Sequence, residues 1–192
     1  RERDQYASYV HEAYLQAIEK RPDRVCFQFS FGAEPLPHET SSRMYQRTLI
    51  QVADMLARHP KIHFQCMVAS RHVNQTLCTF CRELPNFSLA GFWWHNFFPA
   101  TIREVLSERL DMVAANKQIG FFSDGYCADW AYGKTMIARK QMAQVLAEKI
   151  AQGQYTKADA LAIARAVLFE SPQSLLGMTP RAERIGTGLN DK

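Results

Sequence analysis

The chain has 192 residues, of which 47% are apolar and 22% charged, and its formal net charge is +4. That length supports one domain with a sizeable core, or part of a larger one, and the composition is that of an ordinary globular protein. The basic residues scatter along helical faces, which excludes the charge run of a nucleic-acid binder, and no apolar stretch approaches the ~20 residues of a membrane span.

Five cysteines, Cys26, Cys66, Cys78, Cys81 and Cys127, stand in apolar contexts and are odd in number. They read as reduced thiols of a cytoplasmic protein, without a signal peptide. Cys78 and Cys81 form a C-x-x-C inside a helical stretch, and no second pair exists to complete a zinc site. Helix core is the favoured reading, with metal or redox use as the alternative. The chain opens on Arg1-Glu-Arg-Asp, without Met, and runs straight into an amphipathic helix, which predicts a piece of something longer.

In chain order, Asp4 to Lys20 carries Tyr6, Val10, Tyr14 and Ile18 at helical spacing, and Arg21-Pro22-Asp23 ends that helix. Val25 to Phe31 reads as a strand closed by Gly32. A loop with Pro35, Pro37 and His38 leads to a helix predicted over Thr40 to Arg58. Ile62 to Ala69 is the second strand and Asn74 to Leu84 the next helix. Phe87 to Trp94 is the third strand, with Thr101 to Leu110 helical after it. Ile119 to Phe122 is the fourth strand. Helices from Asp129 to Gln152 and from Lys157 to Phe169 complete the pattern, so residues 1–178 form the folded unit and the polar tail, 179–192, is predicted to be loose.

A helix, then strand and helix four times over, is the grammar of parallel β/α units. The strands read as apolar on both faces, as expected where helices cover one side and a barrel interior the other. Four such units make either a small doubly wound sheet or half of an eight-unit barrel. In both, chemistry is done at the carboxyl ends of the strands, which is where Ser123-Asp124-Gly125 falls. Spacing alone leaves a second role open, in which Asp124 caps the long helix after it.

Phe-Trp93-Trp94-His-Asn96, followed about thirty residues later by Gly-Phe-Phe-Ser-Asp124 and a long helix, resembles the carboxyl-terminal half of the uronate (glucuronate) isomerases, metal-dependent barrels of the amidohydrolase superfamily. The likeness extends through Phe31-Gly32-Ala33, Arg71, Asn74 and the last helix into Ser171 to Leu175. The resemblance implies an α/β fold of parallel β/α units, strands five to eight of a TIM (β/α)8 barrel. It implies that Asp124 touches a divalent metal, zinc in most of the family, and moves the proton in the aldose–ketose interconversion of a hexuronate. Trp93, Trp94, His95 and Asn96 would line the sugar-acid site, with one tryptophan facing inward and the other outward. Arg71 would grip the substrate carboxylate or, in the competing reading, pair with a helix acid at the surface.

The chain departs from the isomerase pattern at several points. Ser30 stands where the superfamily's strand-five histidine falls, Glu34-Pro-Leu-Pro-His38 replaces residues that include an arginine, and Gly125-Tyr126 follows Asp124 where the isomerases carry another arginine. No His-x-His occurs, the six histidines being His11, His38, His59, His63, His72 and His95. Most metal ligands would then lie in a missing amino-terminal half, and this chain alone should be inactive. Half a barrel also leaves strand edges and an apolar inner face uncovered, so a partner segment or a homo-oligomer is expected. Two alternatives stand beside the isomerase: a superfamily hydrolase such as a sugar-acid lactonase, and a non-catalytic, flavodoxin-like binding domain. The binding domain has no glycine-rich phosphate loop to serve it. A nucleophilic Cys127, three residues past Asp124, lacks a neighbouring histidine and is the weakest of the options.

Overall fold

A computed structural model describes residues 2–23, 25–31, 34–35, 42–43, 48–93 and 97–178. The first helix, α1, is Glu2–Glu19, and strand β1 is Cys26–Phe31. Two short strands, β2 (Glu34–Pro35) and β3 (Ser42–Arg43), pair antiparallel. There follow α2 (Thr48–Arg58), β4 (His63–Val68), α3 (Asn74–Glu83), β5 (Phe87–Ala90) and α4 (Pro99–Met112). The last elements are β6 (Gln118–Ile119), α5 (Ala128–Ala151), α6 (Lys157–Arg165), a π-helical turn at Ala166–Glu170, and α7 (Ser171–Leu175).

Strands β1, β4, β5 and β6 form one parallel sheet in chain order. That order decides between the two architectures. Helical crossovers between parallel neighbours are right-handed, so an unreversed order puts every crossover helix on the same face, whereas a doubly wound sheet reverses direction and covers both. The sheet therefore has the singly wound topology of a β/α barrel over its four strands.

The helix-facing side is apolar. Phe64, Cys66 and Val68 of β4 and Phe87 and Leu89 of β5 pack without solvent exposure against Leu56 of α2 and Leu77, Cys78 and Cys81 of α3. Leu15 brings α1 into the same core, and Arg58 at the end of α2 donates to Glu12 of α1 at 2.7 Å. A second core, with Phe92, Ile102, Leu106, Met142, Val145 and Val167, joins α4, α5, α6 and the π turn.

The opposite face differs from the apolar surface expected. Strand alternation and register place Gln28, Gln65 and Ser88 in one row there, with His63 beside them. Gln28 donates to Gln65 at 2.6 Å, and His63 Nε2 lies 2.9 Å from Ser88 Oγ. The physical reason is that amides and hydroxyls pair across adjacent strands, which makes this face polar, although Gln65 Nε2 is buried there without a hydrogen-bond partner.

Three boundaries also differ. Helix α2 begins at Thr48, and Ser42–Arg43, expected to be helical, is a strand. Strand β5 ends at Ala90, three residues before Trp93, and β6 ends at Ile119, before the two phenylalanines. The region of His38 and the tail 179–192 lie outside the described residues. Among the described residues no helix is long and apolar enough to cross a membrane.

All five cysteines are free. Cys78 and Cys81 are core, and burial pushes their thiols up to about 12 and about 11. Cys66 is buried, with its thiol raised for the same reason, whereas Cys127 is exposed. Only thiolates react. Titration of the native protein with a thiol reagent at neutral pH is thus expected to label Cys127 promptly and to reach Cys66, Cys78 and Cys81 only with denaturant. Prompt native labelling of Cys78 or Cys81 would refute their core placement.

Candidate functional site

Beyond the regular ladder, the chain after β5 and the chain after β6 press against each other at the carboxyl end of the sheet. The Gly91 N–H donates to the Ile119 carbonyl at 2.5 Å, and any side chain on Gly91 would collide with the backbone of Phe121 and Phe122. Only glycine permits that approach. The outcome is that Trp93 and Asp124 meet: the Trp93 indole Nε1 donates to Asp124 Oδ2 at 3.0 Å.

Asp124 has a φ of +44°, the left-handed region that few residues other than glycine adopt and that Asp tolerates better than most. Its side chain does not cap α5, because the N-cap is Cys127, which contributes no side-chain hydrogen bond. The carboxylate is exposed, with one oxygen held by the indole.

Two residues missed by the sequence reading stand beside it. Lys134 Nζ donates to the Asp124 carbonyl at 3.5 Å and lies 4.9 Å from the Trp130 ring centroid and 5.1 Å from that of Phe97. Trp130 itself pairs with Tyr126, their ring centroids 5.5 Å apart. The i, i+4 spacing of Trp130 and Lys134 on a helix was the signal available.

A buried arginine supports the site from below. Arg109 of α4 donates through Nη1 to the carbonyls of Ala90 and Gly91, at 3.3 Å each, and through Nε to Asn74 Oδ1 at 2.9 Å. Asn74 in turn donates to Glu108, and the guanidinium lies 5.6 Å from the Phe92 centroid. Burial pushes the guanidinium pKa below its usual value. Asn74, one of the residues carrying the resemblance, thus bridges a buried charge network.

Arg71 is engaged elsewhere. Its Nη1 lies 2.5 Å from Glu104 Oε2 of α4, and both side chains are more than half exposed. This is the surface pairing that the sequence left open as the competing role. Ser30 lies opposite Met67 in the sheet register, and its side chain is exposed. Trp94, His95 and Asn96 lie outside the described residues.

Among the described residues, no three His, Cys, Asp or Glu side chains gather to hold a metal. Asp124 offers one carboxylate, and one of its oxygens already accepts from Trp93. These residues do not by themselves fit a divalent cation.

No protein-family model and no curated protein sequence matches the chain. Solved structures do. A uronate isomerase from Bacillus halodurans superposes with a TM-score of 0.76 at 18% identity over 90% of this chain, and one from Thermotoga maritima with 0.68 at 17% over 79%. A protein from Lactobacillus casei, provisionally described as a metal-dependent hydrolase, gives 0.60 at 18% over 82%. The chain spans 42%, 36% and 39% of those three longer chains. At such identities the likeness establishes the fold: a parallel α/β sheet with flanking helices that matches part of a TIM barrel.

Gly91→Ala is expected to lower stability by about 1–3 kcal/mol, the usual cost of forcing atoms into a packed site. The same change should separate Trp93 from Asp124. Urea unfolding and the indole N–H resonance of Trp93 check both effects, and a variant as stable as the parent with that resonance unmoved would contradict the close approach.

Proposed function

We propose that these residues are the carboxyl-terminal half, strands five to eight, of a barrel enzyme acting on sugar acids, with aldose–ketose isomerisation of a hexuronate as its reaction. One observation carries this reading: the Asp124 carboxylate is held by Trp93 at the mouth of the last β/α unit, in a fold shared with uronate isomerases. Isomerising a hexuronate needs a base that takes the proton from carbon 2 and returns it to carbon 1. A single carboxylate can do both. Trp93 fixes one oxygen of Asp124 and leaves the other to carry the proton, while Trp93 and the segment Trp94, His95 and Asn96 would border the sugar.

A divalent metal, zinc by the family resemblance, enters this proposal only as a group whose ligands come mainly from outside these residues. Its chemistry would be to steady negative charge on the substrate oxygens. The proposed source is an amino-terminal half of the barrel, supplied by a preceding stretch or a separate chain, and the piece alone is then inactive. Support comes from the terminal position of β1 in its sheet and from Tyr6, Tyr9 and Tyr14, which stand exposed along α1. A homo-oligomer is the competing way to cover those surfaces.

The second reading keeps the scaffold and makes the protein a hydrolase of sugar-acid lactones. The hydrolase among the structural neighbours favours it, as does the loss of the isomerases' arginine after Asp124, where Gly125-Tyr126 stands. The third, a flavodoxin-like binding domain, loses its topological support because the strand order is not doubly wound.

Assays of the full-length protein with glucuronate, galacturonate and sugar-acid lactones separate these readings. Asp124→Asn should keep the fold and lower turnover at least ~100-fold, the usual scale of lost general acid–base catalysis. Ketose formation that survives Asp124→Asn would sink the assignment, and lactone opening without any ketose would establish the hydrolase.

A further inference from the structure

The inward stripe of α5 runs through Met142 and Ala138, both buried, and continues at the same spacing to Lys134 and Trp130. There it leaves the core. Trp130 is 48% exposed and Tyr126, directly before the helix, is 85% exposed. Their rings are tilted by 36° with centroids 5.5 Å apart, so an exposed tyrosine and a half-exposed tryptophan that carries Lys134 over its ring stand together near Asp124. Leaving such apolar area in water costs free energy that burial elsewhere on the helix avoids.

The groups around the rings narrow down what they take. The Lys134 ammonium sits over Trp130 and donates to the Asp124 carbonyl, and the Asp124 carboxylate borders the same loop. An apolar face with a cation and an acid at its rim matches a sugar ring, whose C–H bonds form a flat apolar face and whose hydroxyls project at the edge. The cation adds a preference for a ring that bears a carboxylate.

We infer that Tyr126 and Trp130 form a stacking platform for the ring of a sugar acid, with Lys134 pairing to its carboxylate, beside the Asp124 carboxylate and distinct from it in role. The inference rests on the sugar-acid reading and assigns its specificity-determining residues. The platform binds and orients the ring. No proton passes through it, so its loss should fall on KM and leave kcat in place.

Calorimetric titration of the full-length protein with glucuronate and with glucose tests this, alongside steady-state kinetics and thermal unfolding of each variant. Tyr126→Ala and Trp130→Ala should each weaken glucuronate binding about ten-fold, within the range measured for stacking on an aromatic side chain, with kcat within about two-fold. Tyr126→Phe should bind as the parent does. Lys134→Gln should weaken glucuronate and leave glucose unchanged. Because Tyr126 and Trp130 are exposed, folded variants are expected, and matching unfolding temperatures confirm it.

Glucuronate affinity and KM unchanged in folded Tyr126→Ala would overturn the platform while leaving the proposed reaction standing. Binding that Tyr126→Ala abolishes, in a protein that produces no ketose, would support the platform and remove the isomerase. A full-length protein that binds no sugar acid, or whose Tyr126 and Trp130 are covered by another protein segment, overturns the platform outright.

Discussion

The site depends on one steric fact: at Gly91 the strand-end backbone lies so close to Phe121 and Phe122 that no Cβ fits between them. Regular pairing of β5 with β6 has ended there, yet the Gly91 N–H still reaches the Ile119 carbonyl. Two loops that would otherwise diverge are kept together for three more residues. Without that contact Trp93 has no reason to meet Asp124, and the carboxylate becomes one more exposed acid before a helix. Arg109 holds the same strand end from the helix side, its charge relayed through Asn74 to Glu108. Removing one member of such a buried network strands the others, so the mouth of the sheet is anchored by charge as well as by shape.

The helices were legible because their apolar residues recur at three- and four-residue steps that only burial on one side explains. Leu77, Cys78 and Cys81 of α3 and Ile102, Val105, Leu106 and Arg109 of α4 are instances, although the last of these is charged. The parallel strands were legible as apolar runs between helices. Their ends were not. Phe92 and Phe121 continue the composition of β5 and β6 but leave the ladder, since residue type does not record where two strands stop being neighbours. Ser42–Arg43 reads as helix from its surroundings and is strand because Glu34–Pro35 pairs with it. Tertiary pairing overrode local preference.

Within the candidate site, Asp124 was legible as an acid ending an apolar run, and Trp93 as an aromatic after a strand. Their hydrogen bond was not, because it depends on Gly91, thirty-three residues before Asp124 in the chain. The two futures read for Arg71 differ only in which acid or ligand lies near, and Glu104, on another helix, holds it. The polar row on the far face was missed for a related reason. Gln28, Gln65 and Ser88 look like interruptions of apolar strands when taken singly and become a paired set only once register aligns them.

The π turn at Ala166–Glu170 has a consequence for assembly. Its Val167 carbonyl accepts from the Gly120 N–H at 3.0 Å, while the Gln118 N–H donates to Ala115. Gln118 opens the terminal strand of the sheet and Gly120 follows directly after it. A newcomer seeking to zip onto that border finds its hydrogen-bond donors already spoken for, so stray chains are discouraged from adding there. A further strand on that side would first have to displace the Val167 carbonyl from Gly120.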